Sequence, residues 1–203
     1  MLTLYTNPQS RGRIARWMLE EIGQPYDTMV LDYHTSMKAP EYLAINPMGK
    51  VPALVHDGKV VTENAAICTY LALTFPKAGL MAEDQAAFFR WLFFAAGPLE
   101  QAVVNASFGW LTQGPQDKRR AGYGDLGDVV QALTGHLAAN DYIADGRFTA
   151  ADVYVGSQVG WGMQFGTIPA NDVLAAYWTR LKDRPARLAA DAKDNALIPA
   201  RPA

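Results

Sequence analysis

Asn46-Pro47-Met48-Gly49-Lys50-Val51-Pro52-Ala53-Leu54, followed shortly by Thr62-Glu63-Asn64-Ala65-Ala66-Ile67-Cys68-Thr69-Tyr70-Leu71, decides how the rest of this chain is read. The first stretch ends a loop in a Val-Pro peptide. The second opens a helix with a carboxylate and an amide in its first turn. Together they can hold a short peptide. Val51 can pair with it as an added strand would. The helix start offers unsatisfied N–H groups and a positive dipole end to a carboxylate. Glu63 can take an ammonium lying beside that carboxylate.

Working outward, Leu2 to Tyr5 alternates and is rich in strand formers, and Ile14, Trp17, Met18 and Ile22 then recur at helical spacing up to a stop at Gly23. Tyr26 to Leu31 reads as a second strand, parallel to the first because a helix lies between them. Residues 38–45 form a short irregular helix. Pro52 to His56 and Lys59 to Val61 flank Asp57-Gly58, the strongest short-range hairpin signal. The helix after it carries Ile67, Tyr70, Leu71 and Thr74 on one face. The order βαβ then αββα predicts a thioredoxin-like domain over residues 1–76. A linker over 77–84 follows, since Phe75-Pro76-Lys77-Ala78-Gly79 breaks the pattern.

No strand signal returns, so residues 85–203 are expected to be all helical. Phe88, Leu92, Ala95, Leu99 and Ala102 form one stripe, and Phe89, Phe93, Ala96 and Glu100 a second. A helix apolar on two faces is expected to be buried on both, one in its own domain and the other against the first domain, a second subunit or a ligand pocket. Gly97-Pro98 should kink it. Residues 106–127, rich in Gly and charge, read as a mobile loop. Thr149 and Asp152 are spaced as a capping-box variant, with Phe148 and Val153 placed as a hydrophobic staple.

Half of the 203 residues are hydrophobic and the formal net charge is −2, so a sizeable core can form. The chain has no basic run, which argues against nucleic acid or an anionic membrane as partner. The single cysteine, Cys68, excludes an internal disulfide, and no C-x-x-C is present for dithiol redox chemistry. Buried on its helix, Cys68 reads as a small core residue. His34, His56 and His136 fall in three different elements and make no metal-ligand pattern, so no metal is expected. With no secretory signal and no apolar run long enough for a bilayer, a soluble cytoplasmic protein is expected.

In this order and spacing, Asn46-Pro47-Met48-Gly49-Lys50-Val51-Pro52, Glu63-Asn64 with Ala66-Ile67 and Tyr70-Leu71, and Thr149 with Asp152 resemble the glutathione S-transferases over the whole chain, and within them the serine-type, theta-like members. The resemblance implies a cis peptide before Pro52, exposing the preceding backbone groups to the cysteine of glutathione. It implies that Glu63 and Asn64 bind the γ-glutamyl end. The family has Ser at position 64, and an Asn can still donate through its backbone N–H and its amide. Lys50, and less directly Lys38, are placed to reach the glycine carboxylate. Ser10, in the loop after the first strand, stands where serine-type members keep the hydroxyl that hydrogen-bonds the glutathione sulfur. A thiol of pKa ~8.5 is about 3% ionised at pH 7, and one at ~6.5 about three-quarters, a roughly 25-fold gain in nucleophile for about 2.7 kcal/mol of differential stabilisation. The alternative for Ser10 is a helix cap. Tyr5 and Arg11 are rivals for thiol activation, while the position of the tyrosine-type activator holds Asn7.

Glu100 stands where cysteine-type bacterial members carry a histidine, and the Ser-Ser-Cys-Ser run of the zeta class is absent, so neither of those mechanisms is expected to transfer. A pocket for the electrophile is expected between the two domains, with Phe108, Trp110, Tyr123, Trp161 and Phe165 as lining candidates whose alternative is core or dimer contact. The resemblance thus implies an enzyme transferring glutathione to a hydrophobic electrophile as a homodimer. A peroxidase or dehalogenase using the same site and a non-catalytic binding or dimerisation module are the alternatives.

Overall fold

The computed structural model describes residues 1–198. In chain order the elements are β1 (Leu2–Thr6), α1 (Gly12–Ile22), β2 (Tyr26–Val30), a 3-10 turn at Ser36–Lys38, α2 (Pro40–Leu43), β3 (Ala53–His56), β4 (Lys59–Thr62) and α3 (Asn64–Thr74). The helices α4 (Gln85–Phe94), α5 (Glu100–Ser107), α6 (Gly114–Ala121), α7 (Leu126–Leu137), α8 (Ala150–Phe165), α9 (Asp172–Lys182) and α10 (Pro185–Asn195) complete it. They form two compact units, one of Met1–Leu80 together with the chain from Asp183 onward, the other of Met81–Lys182.

The first unit holds a four-stranded sheet in the order β2-β1-β3-β4, β1 parallel to β2 and antiparallel to β3. This is the thioredoxin-like arrangement that the βαβ and ββα patterns predict. Asp57 and Gly58 both adopt positive φ, as a two-residue primed hairpin turn requires. α1 buries Ile14, Trp17, Met18 and Ile22, the predicted stripe, and ends at Gly23 in the left-handed region. α3 buries Ile67, Cys68 and Leu71. Burial of each such aliphatic side chain is worth about 1.5–3 kcal/mol.

The boundary differs from a division at residues 76 and 85, because α10 joins the first unit rather than the helical half. Charged side chains tie α10 to α1. Arg16, buried on α1, donates from Nε to Asp194 Oδ1 at 2.8 Å, and both groups are excluded from water. Around this pair Arg13 reaches Asp191 and Asn195, Lys193 reaches Glu20, and Arg184 forks onto Glu21 at 2.7 and 2.8 Å. Removing one partner of a buried ion pair strands the other charge, so losing either Arg16 or Asp194 would cost more than losing a surface pair.

In the second unit the predicted stripe of Phe88, Leu92, Ala95, Leu99 and Ala102 is buried throughout. The expected kink at Gly97-Pro98 takes the form of a π-helical turn over Ala95–Leu99, which accommodates the missing proline N–H. On the second stripe Phe89 and Phe93 are exposed on this single chain, Phe93 by 66%. Residues 106–127, expected as a loop, contain α6, which has Pro115 in its first turn and Lys118, Arg119 and Arg120 in its last. α7 starts with a capping box in which Asp125 Oδ1 accepts the Asp128 N–H at 2.8 Å.

α8 is buried along most of its length. At its start Asp152 Oδ2 accepts the Thr149 N–H (2.9 Å) and hydroxyl (3.0 Å), as the Thr149–Asp152 spacing predicts. Asp152 Oδ1 accepts from Ile143 N–H and the Tyr177 hydroxyl. Burial pushes the Asp152 carboxyl up and these donors pull it down, with burial the larger effect. No helix among the described residues is long and apolar enough to cross a membrane.

Candidate functional site

The strand register brings the three segments singled out in the sequence to one end of the sheet of the first unit. Ala53 pairs with Tyr5 on one side and Thr62 on the other. The residues just beyond these partners, Asn7 after β1, Val51-Pro52 before β3 and Glu63 after β4, therefore leave the sheet at the same end. The peptide between Val51 and Pro52 is cis. The backbone N–H and C=O of Val51 take no part in the backbone hydrogen bonds among the described residues. Glu63 sits at φ 65°, ψ 122°, a conformation costly for a non-glycine residue and one that clusters at functional sites. It precedes α3, whose start carries no side-chain cap, so the first-turn N–H groups remain for a ligand.

The turn after β1 is tightly organised. The Ser10 hydroxyl donates to the Asn7 carbonyl at 2.7 Å and accepts the Gly12 N–H at 2.9 Å. Its single hydrogen thus rests on a neutral carbonyl, while the incoming N–H polarises the oxygen. A Cβ on Gly12 would collide with Thr6 Oγ1, which is why glycine opens α1. The Asn7 side chain bridges to Leu31 O and Gln9 N–H, and Arg13 Nε caps Pro8 O. Arg11 is exposed beside this turn. Tyr5 is placed differently: its ring lies 5.6 Å from that of Tyr42 and packs on the buried cluster of Leu31, Met37, Tyr42 and Ala53.

Asn64, 8% exposed, donates its amide to the Arg11 carbonyl at 3.1 Å, tying the start of α3 to the β1–α1 turn. One of its two amide N–H donors is thus used within the protein, and the second and the backbone N–H are what it offers a ligand. Its Oδ1 is buried without a hydrogen-bond partner. Lys38 Nζ donates to the Gly49 carbonyl at 2.7 Å, whereas Lys50 is exposed. Sequence reasoning missed Tyr42 and Asn46, which both donate to the Lys50 carbonyl, at 2.5 and 2.8 Å. The Asn in Asn46-Pro47 was the available signal, since an Asx side chain bonds its own loop.

In the second unit, Trp110 and Tyr123 line a cavity of about 240 Å³ with Ala102, Ala106, Leu111 and Leu126. Phe108 and Phe165, outside its lining, are exposed, Phe108 stacking on Trp110 at 4.9 Å. Glu100 accepts from the Tyr154 hydroxyl and the Gln158 amide, at 3.1 and 3.2 Å. Cys68 is fully buried and its thiol is pushed up to about 12 by that burial, which removes it as a nucleophile.

The first unit thus presents a cis Val-Pro edge and an open helix start at one end of a thioredoxin-like sheet, and the second unit is helical. Residues 1–73 match the glutathione S-transferase N-terminal domain. The maize (Zea mays) glutathione S-transferase 3 is 30% identical over 91% of this chain and 90% of its own. The Xylella fastidiosa glutathione S-transferase structure shares 30% identity, with a TM-score of 0.79 over 96% of this chain and 99% of that one. A sphingomonad glutathione S-transferase solved in complex with glutathione shares 29% identity and a TM-score of 0.76, over 95% and 98%. The chain belongs to the glutathione S-transferase family.

Proposed function

We propose that this protein, as a serine-type, theta-like glutathione transferase, binds glutathione at the common end of β1, β3 and β4 and ionises its thiol with the Ser10 hydroxyl. One observation carries the reading: the Ser10 turn, the cis Val51-Pro52 edge and the strained Glu63 meet at one end of one sheet. Val51 pairs with the cysteine backbone of glutathione. The open start of α3, including the Asn64 N–H, takes the γ-glutamyl carboxylate, and Glu63 takes its ammonium. Lys50 takes the glycine carboxylate. Lys38, with two donors beyond the one on Gly49, supports it.

As the thiolate forms, the Ser10 hydrogen turns from the Asn7 carbonyl to the sulfur. A charged acceptor makes the stronger hydrogen bond, and the Gly12 N–H stays on the Ser10 oxygen and strengthens it as a donor. The positive end of α1 favours the same charge. The thiol proton leaves to water, and the thiolate sulfur then bonds to the electrophilic carbon of a hydrophobic substrate as its leaving group, such as chloride, departs with the bonding pair. The exposed Phe89 and Phe93 are the face on which we place a second copy in a homodimer. A reducing cytoplasm is the setting we propose for it.

Calorimetry with glutathione, followed by conjugation of a chlorinated nitroaromatic, tests this. Binding with turnover is the expected result. Binding without turnover on any electrophile or peroxide would favour a glutathione-holding module, and absence of binding would refute the site.

A further inference from the structure

Two buried side chains point their polar ends at one backbone carbonyl. Tyr42 and Asn46 are 3% and 5% exposed, and both donate to Lys50 O, at 2.5 and 2.8 Å. Two donors fill both lone pairs of that carbonyl. Asn46 is locked as a donor because its Oδ1 accepts the Met48 N–H at 3.1 Å, which fixes the orientation of the amide. Burial pushes the Tyr42 hydroxyl up to about 12, so it stays a donor at any working pH. The preceding carbonyl, Gly49 O, is taken by Lys38 Nζ at 2.7 Å. Gly49 has φ 56°, and a Cβ there would lie 2.8 Å from Met37 O and 2.9 Å from Lys38 Nζ, so the loop closes this tightly only around glycine.

The Lys50–Val51 peptide is planar and trans, so its C=O and N–H point in opposite directions. Holding Lys50 O inward therefore turns the Val51 N–H outward. Capturing the carbonyl also polarises the shared peptide and makes its N–H a better donor. An unheld Lys50 carbonyl could swing toward a ligand bearing two carboxylates and a thiolate, and would repel it.

We infer that Tyr42 and Asn46 are positioning residues that aim the Val51 N–H at the bound peptide by holding the Lys50 carbonyl, an inference that rests on the glutathione site proposed above.

Tyr42→Phe removes only the hydroxyl and keeps the ring in its cluster. The test compares wild type and variant by the Val51 amide resonance in the ligand-free protein, the KM for glutathione, kcat at saturating glutathione, and the ultraviolet pKa of the bound thiol. The inference predicts a shifted Val51 resonance and a KM raised about fivefold, as expected for one weakened hydrogen bond. It predicts kcat within twofold of wild type and a thiol pKa within about 0.3 unit, a twofold change in Ka. A purely structural role would lower the melting temperature and leave KM unmoved, and that result in a folded variant would overturn the inference. Asn46→Ser, which retains a short donor, should fall between wild type and Asn46→Ala in KM, and equal KM values for all three would also overturn it. Failure of the wild type itself to bind glutathione would instead refute the site on which the inference rests.

Discussion

Replacing Ser10 with alanine separates the roles a hydroxyl can play in this turn. In the ligand-free protein the side chain donates to Asn7 O at 2.7 Å and accepts the Gly12 N–H at 2.9 Å. Asn7 O keeps the Ser10 N–H at 3.1 Å after the substitution, while the Gly12 N–H loses its side-chain acceptor. The folding cost is therefore that of one helix-cap group, about 1 kcal/mol. In the complex the loss is larger, since a hydrogen bond to a charged group is worth about 1.5–3 kcal/mol. That raises the bound thiol by about 1–2 pKa units. A thiol moved from ~6.5 to ~7.5–8.5 falls at pH 7 from about three-quarters ionised to between roughly a quarter and 3%, so the rate drops roughly 3- to 25-fold. At pH 9.5 even a thiol of pKa ~8.5 is roughly nine-tenths ionised, and the variant should return nearly to wild type. The assay is the pH profile of kcat/KM for glutathione with a chlorinated nitroaromatic, from pH 6 to 9.5. An equal loss at every pH would refute thiol activation by Ser10 and leave it a residue that shapes the turn.

Three further substitutions or treatments test the framework around the site. Gly12→Ala drives a Cβ into Thr6 Oγ1 and should destabilise the protein by about 1–3 kcal/mol, read as a lower urea midpoint at unchanged slope, with weaker glutathione binding. Asp194→Ala leaves the Arg16 guanidinium buried and unpaired by its carboxylate, and should cost about 3–5 kcal/mol in the same assay, while Arg16→Met with Asp194→Leu recovers most of it. Cys68, fully buried with its thiol pushed up by that burial, should stay unlabelled by a disulfide reagent at pH 8 in the folded chain, and labelling should appear together with unfolding in denaturant.

What the sequence showed of this molecule was local. The Asp57-Gly58 hairpin, the Gly23 stop, the stripe from Phe88 to Ala102 and the Thr149–Asp152 pairing are all decided within a few residues, and each is found where the spacing puts it. The cis peptide at Pro52 followed from the resemblance rather than from local physics. Long-range allegiance was hidden. Arg16 and Asp194 are 178 positions apart, and nothing near either says that they meet. The engagement of Lys38 with Gly49, the bond from the Asn64 amide to Arg11 and the convergence of Tyr42 and Asn46 on Lys50 are all side-chain-to-backbone bonds. Their acceptors are peptide groups, which carry no residue-specific signature. α6 was legible in part: Pro115 in its first turn and three basic residues in its last mark a helix that the glycine and charge content of residues 106–127 obscured.

The central claim is that this fold activates a thiol as well as holding a peptide. The most direct test is the ultraviolet titration of thiolate absorbance for glutathione bound to the wild-type protein. The account predicts ionisation near pH 6.5, about two units below an ordinary thiol. Glutathione that binds but ionises near 8.5 would contradict it, leaving a peptide-holding site in which the Ser10 hydrogen never leaves Asn7.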